Sequence, residues 1–83
     1  MIDVQYFASV RERLGIDNEQ VEPAAAATVA ELLDLLATRH GDKGQRVLKE
    51  ARVLAAVNQV VAEPQTPVRS GDEVAFFPPV TGG

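Results

Sequence analysis

Thr28 opens the one stretch in which apolar residues recur at helical spacing over two full turns: Val29, Leu32, Leu33 and Leu36 stand at i, i+3, i+4 and i+7. A helix with a single apolar face must bury that face against another layer, so the rest of the chain has to supply one. Thr28 and Glu31 frame the start as a capping box, in which the hydroxyl accepts from the backbone N–H of the glutamate. Gly41 ends the helix just after His40. His40 is the sole histidine, so no multi-histidine metal site is expected, and beside a helix C-terminus it serves as a donor or cation.

The other layer is written in short strands. Ile2, Val4 and Tyr6 alternate with Asp3, Gln5 and Phe7, the period of a strand with one buried face. Ser9 and Glu12 predict a capping box for a helical turn or two, closed by Gly15. Asp17 and Asn18 then turn the chain into a second strand over 19–22, hairpinned with the first and ended by Pro23. The alanine run 24–27 is placed in a loop. Asp42 and Gln45 start a further short helix to Glu50 with Val47, Leu48 and Ala51 inward, although Gly44 weakens it.

Residues 52–57 read as a buried strand whose inward phase stays open, because Val53, Ala55 and Val57 compete with Leu54 and Ala56. Asn58 and Gln59 turn it into a minimal strand over 60–62. Pro64 and Pro67 mark the loop to Ser70, Gly71 and Asp72, and the last strand, 74–77, must stop at Pro78. One main helix packed on a mixed sheet is an α+β arrangement, the ubiquitin-like β-grasp, with the first and last strands parallel at its centre. Its 83 residues, 46% hydrophobic, suffice for one core.

Pro78 and Pro79 hold the chain extended, so the expected division is a domain over 1–77 and an extended, flexible tail over 78–83. Gly82 and Gly83 carry no Cβ, which lets a partner's active site close on the backbone from all sides. A terminal carboxylate becomes a useful electrophile once adenylated. Strand phase predicts a docking face next to this tail: with Tyr6 and Phe76 inward, Phe7 and Phe77 point out, and Val61 extends the patch. The competing reading has Phe7 covered by Arg11 or by the turn over 9–14.

The net charge of −4 disfavours nucleic acid and anionic membranes as partners. Without cysteine the chain has no disulfide or thiol chemistry of its own. Residues 1–8 contain Asp3 and Gln5, unlike a secretory leader, and no apolar run has membrane-spanning length, so a cytoplasmic location is expected.

From IDVQYFASVRERLG through LAAVNQ to GDEVAFFPPVTGG the sequence resembles the MoaD-type sulfur carriers, the small subunits of molybdopterin synthase. Between residues 21 and 50 the likeness is one of pattern alone. The resemblance implies that an E1-like adenylyltransferase uses ATP to adenylate Gly83, and that a sulfur donor enzyme then displaces AMP to leave a thiocarboxylate. The tail next enters the large synthase subunit, in a heterotetramer, where sulfur passes to a cyclic pterin monophosphate during molybdenum cofactor biosynthesis. It further implies that this chain is not itself an enzyme and binds no cofactor or metal, with catalytic side chains on the large subunit. Gly82 and Gly83 would be the reacting end, and Phe7, Val61, Phe77, Pro78, Pro79, Val80 and Thr81 the partner contacts. A ubiquitin-type protein modifier and a plain interaction domain are the two other classes compatible with the sequence.

Overall fold

The computed structural model describes residues 1–79. Its strands are β1 (Ile2–Tyr6), β2 (Asn18–Val21), β3 (Leu54–Val57), β4 (Val60–Ala62) and β5 (Glu73–Phe77), and they form one sheet in the order β2-β1-β5-β3-β4. β1 and β5 pair in parallel at the centre, while the remaining pairs are antiparallel. The helices are α1 (Ala8–Leu14), α2 (Val29–Arg39) and α3 (Gly41–Gly44), the last running on into a π-helical turn, Gln45–Glu50. This is the expected α+β sheet on one main helix.

Alternation decides the inner face. Ile2, Val4 and Tyr6 of β1 and Val74 and Phe76 of β5 are buried, and the Tyr6 and Phe76 rings stack with centroids 6.3 Å apart. Against them α2 buries Val29, Leu32, Leu36 and Ala37. Leu33, expected in that core, is only half-buried. The reason lies on either flank of α2. On one side α3 closes tightly over Ala37, whereas on the other Leu33 faces the short side chains of Ala55 and Ala62, and a cavity of about 350 Å³ remains. No helix among the described residues is long and apolar enough to cross a membrane.

Gly44 is what permits the close flank. A Cβ there would stand 2.4 Å from the Ala37 carbonyl oxygen and 2.8 Å from the His40 Cβ, so the residue that weakens α3 by propensity is required by its packing. The chain reaches α3 through Gly41 at φ 65°, after His40 has capped α2 with its N–H on the Leu36 carbonyl, 3.1 Å away. Val47 and Leu48 are buried as expected, while Ala51 is half-buried.

Several local expectations are corrected. Ser9 does not cap α1: the helix begins at Ala8 directly after Phe7, without a side-chain cap. The Phe7 N–H donates to the Phe76 carbonyl at 3.0 Å, which carries the sheet one residue past β1, and the chain then turns so abruptly that Ala8 takes φ 52°. Ser9 is thereby left inside the first turn. The second strand runs one residue earlier than 19–22, and Pro23–Ala25 form a 3₁₀ turn that sets Ala26 in the core, where a plain loop was expected. The Thr28 capping box does form, its hydroxyl accepting from the Glu31 N–H at 3.2 Å, although the Glu31 carboxylate reaches back to the Ala27 N–H at 3.0 Å.

β3 starts at Leu54, two residues later than expected, and its open phase is settled by register. Ala55 lies opposite Phe76 and so faces the helices, while Leu54 and Ala56 lie opposite Phe77 and Ala75 on the outer face. Both alanines are nearly buried, Ala55 at 7% and Ala56 at 8% exposure, because small side chains between two neighbouring strands are covered on either face. Asn58 and Gln59, with φ 49° and 70°, make the two-residue turn whose left-handed residues match the twist of a hairpin.

Candidate docking face and carrier tail

The outer face of the sheet is assembled by cross-strand register. Phe77 stands opposite Leu54, Ala75 opposite both Ala56 and Gln5, and Ala56 opposite Val61. Residues directly opposite one another share a face, so Leu54, Ala56, Val61, Ala75 and Phe77 form one apolar surface away from the helices. Phe7 continues the alternation in extended conformation and is 46% exposed; Val61, on the edge strand β4, is 73% exposed. The three residues predicted for this face thus share it, and Phe7 is open.

Phe77 is less open than expected. It points outward but is half-buried beside Leu54, as are Pro78 and Pro79 after it. Leu54 is the member that the sequence reading missed, and its signal was the antiparallel register that sets it against Phe77. Val80, Thr81, Gly82 and Gly83 lie outside the described residues.

The end of the face away from Phe77 is braced by polar contacts. Asn58 donates its side-chain amide to Asp72 at 3.0 Å and accepts from the Glu73 N–H at 3.0 Å, while the Arg69 N–H donates to Asp72 at 2.8 Å. The Asn58 amide first, and then the Arg69 N–H, hold the Asp72 carboxyl below the usual carboxylate range. Asp72 is therefore a turn lock that joins the β3–β4 hairpin to the start of β5, in line with its turn reading.

His40 belongs to a network on the helix side. Tyr6 donates its hydroxyl to Glu19 at 2.6 Å, Arg39 donates to the other carboxylate oxygen at 2.8 Å, and His40 Nε2 lies 2.6 Å from the oxygen that Tyr6 contacts. This ties β1, β2 and the end of α2 together through one carboxylate. Burial pushes the Glu19 carboxyl up, but the bonds from Tyr6, His40 and Arg39 outweigh it and leave the group below its ordinary range. Burial and the Glu19 contact push the Tyr6 phenol up, so it stays protonated as a donor.

A carboxyl whose folded pKa is depressed stabilises the fold above its unfolded pKa, and that contribution is lost as pH falls through the folded value. Glu19→Gln should therefore cost about 1.5–3 kcal/mol at neutral pH, the range for hydrogen bonds to charged groups. The gap to wild type should close on acidification below the ordinary carboxylate range. Urea melts from pH 7 to pH 3 measure this, and a gap independent of pH would exclude the ionised network as its source.

The ThiS family model matches residues 4–83. The molybdopterin synthase sulfur carrier subunit of Escherichia coli (strain K12) is 45% identical over 83 residues, and that of Haemophilus influenzae 42% identical over 85 residues, each alignment covering 100% of both chains. Among solved structures, SAMP1 from Haloferax volcanii, a small archaeal modifier protein, aligns with a TM-score of 0.74 at 31% identity, over 99% of this chain and 98% of that one. With the β-grasp sheet in place and the likeness running from end to end, the chain belongs to the ThiS family.

Proposed function

We propose that this chain is the sulfur-carrier subunit of a molybdopterin synthase, with the C-terminal carboxylate of Gly83 as the atom group that carries sulfur. The observation that supports this most directly is the register of β5, which sets Phe77 on the outer apolar face of the sheet and leads the chain into Pro78 beside it. A partner that docks on that face receives the tail at the same place. The chemistry resides at the terminus: ATP converts the Gly83 carboxylate to an acyl adenylate with release of pyrophosphate. A sulfur nucleophile then displaces AMP, and the resulting thiocarboxylate is offered to the pterin precursor in the large subunit. His40 is engaged with Glu19, so acid–base groups are assigned to the partners: the adenylyltransferase, the sulfur donor enzyme and the large subunit.

Incubation with ATP, an activating enzyme and a sulfide source tests the reading. The intact mass should rise by about 16 Da, one oxygen exchanged for sulfur, with no side chain modified. Unchanged mass under conditions that load the Escherichia coli carrier would overturn it.

The docking face carries its own prediction. Phe77→Ala should weaken binding to the large subunit by ~2 kcal/mol or more, as loss of an aromatic anchor does, with a smaller loss in folding stability because the ring is only half-buried. Calorimetry beside urea melts separates the two. Unchanged affinity with a large stability loss would place the anchor elsewhere. A second reading, a protein modifier using the same carboxylate, is favoured by the likeness to SAMP1. Isopeptide-linked conjugates on denaturing gels would distinguish it.

A further inference from the structure

The cavity beside Leu33 has a position that the core alone does not explain. Its walls include Ala30 and Leu33 of α2, Val53 and Leu54 at the start of β3, Pro64 after β4, and the Phe76 ring. All of its strand residues lie at the end of the sheet where β5 stops. Leu54 is the partner of Phe77 in the β3–β5 register, so this wall of the cavity lies one strand away, roughly 5 Å, from the residue that precedes Pro78. Leu54 also belongs to the outer apolar face, so one residue borders both the cavity and that face. Protein interiors rarely keep voids larger than a water molecule, whereas apolar pockets at interfaces hold the side chains that dominate affinity.

We infer that this cavity is a second attachment point for the protein that receives the tail, and that its occupant is one uncharged apolar side chain of that partner, of leucine, methionine or phenylalanine size. The inference rests on the carrier reading above, in which the tail enters a partner. A protein that takes up residues 80–83 must abut the end of the domain at which Pro78 and Pro79 leave, and the strand residues that line the cavity, Leu54, Ala55, Ala62 and Phe76, lie at that end. The charge at its rim supports an apolar occupant over an acidic one, since Lys49, which lines the cavity, is already paired with Asp34. The domain is then gripped on both faces of β3, with Phe77 and Val61 on one side and the Leu33 cavity on the other.

Ala30→Leu, which fills the cavity from the second residue of α2, tests this by moving two quantities in opposite directions. It should raise the urea midpoint of the free chain and weaken its binding to the large subunit by about tenfold, the loss typical of one interface anchor. Raised stability with unchanged affinity would overturn the inference and leave the cavity a packing defect. If the substitution lowers stability, methyl NMR of the wild-type chain decides. On addition of the large subunit the Leu33, Val53 and Ala62 methyl signals should shift together with Val61, whereas a shift confined to Val61 would overturn the proposal. Phe77→Ala serves as the control, because if it too leaves affinity unchanged, the docking reading has failed and not the cavity assignment alone.

Discussion

Leu36→Ala should lower the unfolding free energy by about 2–5 kcal/mol, while Leu33→Ala, the same change one turn earlier on α2, should cost distinctly less. Leu36 is fully buried between the sheet and the helical layer, so deleting its three outer carbons leaves a void that close packing on the Ala37 and Gly44 side cannot collapse. Leu33 already borders open volume, and its truncation enlarges a groove that solvent can enter. Domains of this kind are stable by only ~5–15 kcal/mol, so Leu36→Ala approaches the limit of folding. Urea midpoints of the two variants, with wild-type slope, are the measurement. Equal losses would mean that the Leu33 flank is packed as tightly as the Leu36 flank.

That contrast also marks how far the sequence could be read. The spacing of Val29, Leu32, Leu33 and Leu36 gives a helix and an apolar stripe, but the stripe is wide enough for its inner edge to fall on either Leu33 or Ala37. The choice was made by Gly44, seven residues beyond Ala37, through a backbone contact with no periodicity of its own. The same applies to β3: its run of small and branched residues fits both phases, and only pairing with β5 turns Leu54 outward. Strict alternation in Ile2, Val4 and Tyr6, by contrast, left no choice, and the parallel β1–β5 pairing followed from the order of elements.

That Phe7, Val61 and Phe77 share one face was legible for the same reason. Phe7 and Phe77 extend strands of unambiguous phase, and Val61 follows a two-residue turn that fixes its register with Ala56. The Glu19 network was hidden, because Tyr6, Arg39 and His40 lie 13, 20 and 21 positions away in the chain and meet only through the antiparallel β1–β2 pair and the end of α2. The predicted S-x-x-E box at Ser9 failed because a tertiary bond, Phe7 to Phe76, fixed where α1 could begin.

Removing Gly83, or extending the chain past it by one residue, should abolish sulfur transfer while leaving fold and docking nearly unchanged. The core is defined by Ile2, Val4, Tyr6, Val74 and Phe76 and the proposed docking face by Phe7, Val61 and Phe77, all within the described residues 1–79. Deletion withdraws the reacting carboxylate by ~3.5 Å, one residue of extended chain. Productive reaction needs the reacting atoms within about 3–3.5 Å, so a displacement of that size is decisive. Extension converts the Gly83 carboxylate into an amide and carries the terminal carboxylate ~3.5 Å beyond the reacting position. Each variant is to be incubated with the activating enzyme, ATP and a sulfide source, following AMP release and the intact mass, and then added to the large subunit with the pterin precursor. Binding at wild-type affinity with no mass gain and no dithiolene is the expected result. Sulfur delivery at the wild-type rate by either variant would overturn the assignment of the Gly83 carboxylate as the carrier group, since the chain has no cysteine thiol to take its place.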